Sequence, residues 1–113
     1  MDKVAKYRQA IHEVISRHSH RDSIPREEYE KQVIIDDKHG HYLVMGVGWN
    51  DLKRIHGISI HIDLKGDKIW IQTDWTEPGV AQELEDMGIP KSDIVLAFHA
   101  PYRRKMIEEY SPG

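Results

Sequence analysis

Between Glu28 and Thr76 the chain carries four strand-like runs separated by short turns, and this arrangement constrains its fold more than any other feature. Three hairpins in succession make an antiparallel meander. Its register follows from the turns, because side chains alternate between faces and a two-residue loop preserves parity. A turn at His39-Gly40 sets Ile34 opposite Met45 and Ile35 opposite Val44. A loop from Asn50 to Lys53 sets Met45 opposite Ile58 and Leu43 opposite Ile60. A turn at Lys65-Gly66 or Gly66-Asp67 keeps Ile58, Ile60 and Ile62 on the side of Ile69 and Ile71. The core side is thus predicted as Ile34, Leu43, Met45, Val47, Ile58, Ile60, Ile62, Ile69 and Ile71. The opposite side carries Val33, Ile35, Tyr42, Val44, Gly46, Gly48, Gly57, Ser59, His61, Trp70, Gln72 and Asp74, and is neither cleanly polar nor cleanly apolar.

Helices flank the meander. Val4, Tyr7, Ile11, Val14, Ile15 and His18 recur at offsets of three and four, one face of an amphipathic helix from about Asp2 to Arg17 with Asp2 as its cap. Ser19 to Glu28, containing Pro25, reads as a loop. After the sheet, Thr76 as cap, Pro78 in the first turn and Gly88 as stop bracket a helix carrying Val80, Ala81, Leu84 and Met87. Periodicity cannot assign Ile94 to Phe98 to strand or buried helix, and Pro101 opens a last helical stretch over 102–110. The order predicts a single α+β domain over residues 1–113, an N-terminal helix and a four-stranded antiparallel meander with the C-terminal helices packed on one sheet face.

The length of 113 residues suits one core. The absence of cysteine excludes disulfides and any thiolate ligand or nucleophile. A net charge of −3 argues against a nucleic-acid footprint, although residues 1–26 carry six basic and three acidic groups. The longest apolar run is too short for a bilayer, and a cytoplasmic protein is expected.

Eight histidines raise the question of a metal. The best-placed group is Ser59, His61 and Asp63 on one strand face, with Asp74 on the neighbouring strand. Without a third fixed ligand the pair His61 and Asp63 reads as the polar face of a strand, so neither metal nor cofactor is expected. His18-Ser19-His20 and His39-Gly40-His41 fall at a helix end and a turn, where solvated histidines are ordinary. Ser59 lacks a strained nucleophile elbow, and Asp36-Asp37, Glu85-Asp86 and Glu108-Glu109 are sequence neighbours that point apart. No catalytic residue is assigned. Arg103-Arg104-Lys105 is the single basic triplet, too few phosphate contacts for strong nucleic-acid binding.

Several runs taken together resemble the XisI family: Val47-Gly48-Trp49, Ile60-His61-Ile62-Asp63, Lys68-Ile69-Trp70-Ile71-Gln72, Asp74 with Thr76-Glu77, Gly79-Val80-Ala81 with Glu83-Leu84, and Gly88 to Leu96 with Phe98, His99 and Pro101. The likeness covers nearly the whole chain. It implies a cyanobacterial-type accessory protein of the fdxN element excision controlling kind, linked to heterocyst differentiation. Such a protein acts with an XisH companion to permit excision of a DNA element by a separate recombinase. The family supplies no catalytic residue to carry over. The expectation is therefore a non-enzymatic regulatory partner; the alternative is a small metal-dependent hydrolase using His61, Asp63 and Asp74. Val33, Ile35, Val44, Gly46, Gly57, His61 and Trp70 are the candidate face for partner docking or self-association as a dimer, because helices on one sheet face cannot also cover the other. Direct DNA binding is not expected.

Overall fold

The structure, a computed structural model, describes residues 2–19 and 28–113, so most of the loop expected over 19–28 lies outside the described residues. Helix α1 runs Lys3–Ser19 and buries Tyr7, Ala10, Ile11, Val14, Ile15 and His18, the stripe expected from its periodicity, with Val4 half-buried. Asp2 caps it, its Oδ1 accepting from the Ala5 amide at 2.8 Å.

Strands β1 (Tyr29–Asp36), β2 (His41–Asn50), β3 (Lys53–Lys65) and β4 (Lys68–Asp74) form the predicted antiparallel meander. A fifth strand, β5 (Ile94–Leu96), joins β4 in parallel and makes the sheet mixed. Its three residues come from the apolar run that periodicity left open, and Ala97 extends the pairing by donating to the Ile71 carbonyl at 2.9 Å. The α+β class is as expected.

The turns decide the register, and one of them differs from expectation. Gly66-Asp67 and Asp51-Leu52 are two-residue turns. The first turn holds four residues instead of two, because Asp36 pairs with His41 while its side chain accepts from the His39 amide at 3.0 Å and its carbonyl from Gly40 at 2.8 Å. Ile34 therefore opposes Leu43, two residues from the predicted partner, which leaves its face unchanged.

The larger correction is a β-bulge. Met45 opposes Ile58 as predicted, but Val44 opposes Ile60, so Ser59 is an extra residue on β3. Its hydroxyl donates to the Val44 carbonyl at 3.1 Å, and its own carbonyl accepts from the Trp75 amide at 3.0 Å. One added residue inverts the parity of β1 and β2 relative to the rest of β3. Tyr42 and Val44 consequently join Ile60, Ile62, Ile69 and Ile71 under the helices, all of them fully buried. Ile34, Leu43, Met45, Val47 and Ile58, predicted as core, face away from the helices; Ile34 is 44% exposed and Ile58 39%.

Helix α2 (Val80–Asp86) closes the core with Val80 and Leu84. Thr76 was expected to cap it. Asp74 does so instead, its Oδ2 accepting from the Val80 amide at 2.7 Å while Oδ1 holds the Thr76 amide at 3.0 Å. Gly88 ends this segment at φ 91°. Helix α3 (Pro101–Met106) is shorter than predicted and buries no residue, so the layer on the sheet is built by α1 and α2.

One polar group ties α1 to the segment before β5. The Tyr7 hydroxyl donates to Asp93 Oδ2, and Lys3 Nζ lies 2.8 Å from the same oxygen. Burial, reinforced by Asp93, pushes the Tyr7 hydroxyl up to about 12. Burial alone would raise Asp93, but the bonds from Lys3 and Tyr7 outweigh it and hold the carboxyl below its ordinary range. The Tyr7 contribution to stability is therefore complete below its unfolded value of about 10 and lost as pH rises towards its folded value. The Asp93 contribution is present above about pH 3.9 and lost as pH falls through its lower folded value. Urea midpoints measured against pH should fall on both sides of neutrality. Tyr7→Phe should lower the midpoint at pH 7 and make the alkaline fall shallower, while an unchanged alkaline limb would assign that limb to other groups such as Tyr42 and Tyr110, whose hydroxyls burial also raises.

Candidate functional site

The outer face of the sheet gathers the chemistry. His61 and Asp63, two apart on β3, share that face, as their spacing predicts. His41 opens β2 directly opposite Asp63 and joins them. Its Nδ1 lies 2.7 Å from Asp63 Oδ1, and His61 Nε2 lies 3.0 Å from the same oxygen. The other carboxylate oxygen accepts from Gln72 Nε2 at 3.1 Å. Gln72 sits at a second irregularity, where the β3–β4 pairing shifts between His61 and Ile62. Burial of Asp63 favours its neutral form, but the bonds from His41, His61 and Gln72 outweigh it, and the carboxyl stays below its ordinary range.

Two of the residues grouped with this pair in the sequence lie elsewhere. Ser59 is spent on the bulge, and Asp74 caps α2 on the helix side of the sheet, away from His61 and Asp63. The trio His61, Asp63 and Asp74 required for a metal-dependent hydrolase is thus not assembled. The sequence places His41 in a solvated turn; the Ser59 bulge shifts the β2–β3 pairing by one residue and so sets His41 opposite Asp63 instead of Ile62. Gly40 fixes that register, since a Cβ there would come within 2.5 Å of the Leu64 carbonyl oxygen and its φ is 73°.

Other histidines have carboxylate partners of their own. His18 on α1 meets Glu83 on α2 at 2.5 Å in a buried pair, His12 meets Asp37 at 2.8 Å and His39 meets Asp36 at 2.8 Å.

The residues proposed as a docking face are divided by the bulge. Val44 is fully buried beneath the helices, and Gly46 is covered by the ring of Tyr29, which a Cβ would meet at 2.7 Å. The close approach that this glycine permits is therefore made within the chain. Val33 and Ile35 lie on the helix side of the edge strand and remain partly exposed, and Gly57 is open. His61 and Trp70 lie on the outer face. Trp70 is flanked by the Lys65 ammonium at 4.6 Å and the Arg104 guanidinium at 5.4 Å from its centroid. Arg104 also donates to the Pro112 carbonyl at 3.1 Å, so the middle of the basic triplet is engaged within the chain. The apolar group left on the outer face is Ile34, Leu43, Met45, Val47 and Ile58, bordered by His41 and His61.

Residues 1–111 match the family described as "XisI protein". The chain belongs to the XisI family. Its fold is that of solved XisI structures from Anabaena variabilis ATCC 29413. A XisI-like protein from that organism is 37% identical over 96% of this chain and 97% of its own, with a TM-score of 0.88. The fdxN element excision controlling factor XisI from the same organism is 33% identical over 99% of this chain and 100% of its own, with a TM-score of 0.84. No curated protein matches the chain. Among the described residues no helix is long and apolar enough to cross a membrane.

Proposed function

We propose that this XisI-family chain is a non-enzymatic regulatory protein of the cytoplasm that controls excision of a DNA element by binding a companion protein of the XisH kind, the recombination chemistry belonging to a separate enzyme. The observation that carries this reading is the match along the whole chain to an fdxN element excision controlling factor XisI. A supporting feature is the outer sheet face, where Ile34, Leu43, Met45, Val47 and Ile58 leave apolar surface that reaches the edge strand β1. The companion, or a second copy of this chain, docks on that face.

Co-expression with the XisH-like protein of the same host tests the reading. A complex of defined stoichiometry by light scattering is expected, as is loss of excision when the gene for this chain is deleted. Excision at the wild-type rate in the deletion strain would remove the regulatory role. The docking face has its own test. Met45→Lys places a charge at the centre of the outer patch without touching the core, so the variant should fold with a melting temperature within a few degrees of the parent and lose most partner capture. Unchanged capture would clear this face.

A further inference from the structure

We propose that His41, His61 and Asp63 form a binding site for a divalent transition-metal ion of the zinc type on the outer face of the sheet. The proposal stands apart from the partner-docking reading and rests on three observations.

The first is convergence. Two ring nitrogens and one carboxylate oxygen, drawn from two strands, lie within 4.8 Å of one another. His41 Nδ1 and His61 Nε2 both address Asp63 Oδ1 instead of taking one oxygen each. Ligands at about 2.0–2.1 Å from a tetrahedral ion stand about 3.3 Å apart, so the separations of 2.7 and 3.0 Å need to open by about half an ångström while the two ring nitrogens, within 4.8 Å of each other, close by at most about 1.5 Å. Both histidine side chains retain solvent exposure and have room to move that far. A ring nitrogen that donates to the carboxylate in one neutral tautomer offers a lone pair to a metal in the other.

Charge is the second. Asp63 is buried, and among the described residues its ion pairs are with these two histidines. A divalent cation placed among these three groups supplies a full positive partner to the buried carboxylate.

Support around the ligands is the third. Gln72 holds the carboxylate oxygen that is not shared, orienting Asp63 so that its other oxygen faces both histidines, as outer groups orient ligands in metal sites. Two imidazoles and a carboxylate select zinc or its neighbours over magnesium and calcium. The side chain of His41 is 50% exposed, which leaves a coordination position open to water or to a group from a docked protein.

The test is titration of chelator-stripped protein with Zn²⁺ by calorimetry and with Co²⁺ by visible absorption. One Zn²⁺ per chain and the ligand-field bands of nitrogen- and oxygen-bound cobalt are expected. His41→Ala and His61→Ala should each weaken Zn²⁺ at least tenfold, and Gln72→Leu should weaken it by about 10–100-fold, the range for loss of an orienting group. Zn²⁺ should raise the melting temperature of the parent by more than that of His61→Ala at the same concentration. His56→Ala, an exposed histidine further along β3, should bind as the parent does. The proposal fails if stripped protein shows no saturable Zn²⁺ uptake, or if uptake is the same in a folded His41→Ala/His61→Ala variant. Since His41 is exposed and contributes little packing, the single His41→Ala variant keeps the test decisive should the double variant not fold.

Discussion

Replacing His18 with Leu should cost about 3–5 kcal/mol, read as a fall in the urea midpoint. His18 and Glu83 form a buried pair between α1 and α2, each side chain 8% exposed, and the substitution takes away the closest partner of a buried carboxylate that Arg17 meets only at 3.8 Å. A pair of this kind costs much to break and little to exchange whole. The double variant His18→Leu/Glu83→Leu should therefore recover most of the loss, since apolar replacement of a buried pair is often neutral. A double variant as weak as the single one would show that α2 depends on the ion pair for its orientation. The question matters for α2 because seven residues make too short a helix to hold itself together.

The second large effect concerns two isoleucines that are neighbours but one on β3. Ile60 is fully buried beneath the helices, whereas Ile58 is 39% exposed on the other side of the sheet. Ile60→Ala should cost about 2–5 kcal/mol, the range for deleting a buried branched side chain. Ile58→Ala should cost below about 1 kcal/mol. An unbroken ladder would put both residues on one face with similar costs. Urea denaturation of the two variants thus measures the bulge directly, and equal losses would count against it.

Much of the fold is legible in the sequence because it rests on strong local signals. The stripe of α1, the turn glycine at Gly66 and the isoleucines Ile60, Ile62, Ile69 and Ile71 each point to one structure, and they find it. What the sequence conceals has a specific cause. Both faces of β2 are apolar, Tyr42 and Val44 on one and Leu43, Met45 and Val47 on the other, so hydrophobic pattern cannot choose between them. The choice falls to Ser59, whose inserted position leaves no mark in a count of alternating residues. The same ambiguity hides the site. His61 and Asp63 are found by spacing alone, but His41 and Gln72 reach them only through two irregular pairings, and Asp74 is carried away by one of them. The cap of α2 is ambiguous in the sequence because Asp74 and Thr76 are both good cap residues, and Asp74 reaches the Val80 amide from the end of a strand.

That two-sided apolar strand has a consequence for how the chain finds its structure. With Leu43, Met45 and Val47 nearly as apolar as Tyr42 and Val44, a β2 slipped by one place against β3 would still bury a greasy surface beneath α1. Burial energy alone then separates the two arrangements weakly, and the competing basin is deep. The gap comes instead from groups that work in only one of them: the Ser59 hydroxyl on the Val44 carbonyl, the Trp75 amide on the Ser59 carbonyl, and the Tyr42 hydroxyl on Asp37 at 2.9 Å. Stability in this small sheet is supplied by its oily residues, while the decision about which way the sheet is turned belongs to a few hydrogen bonds.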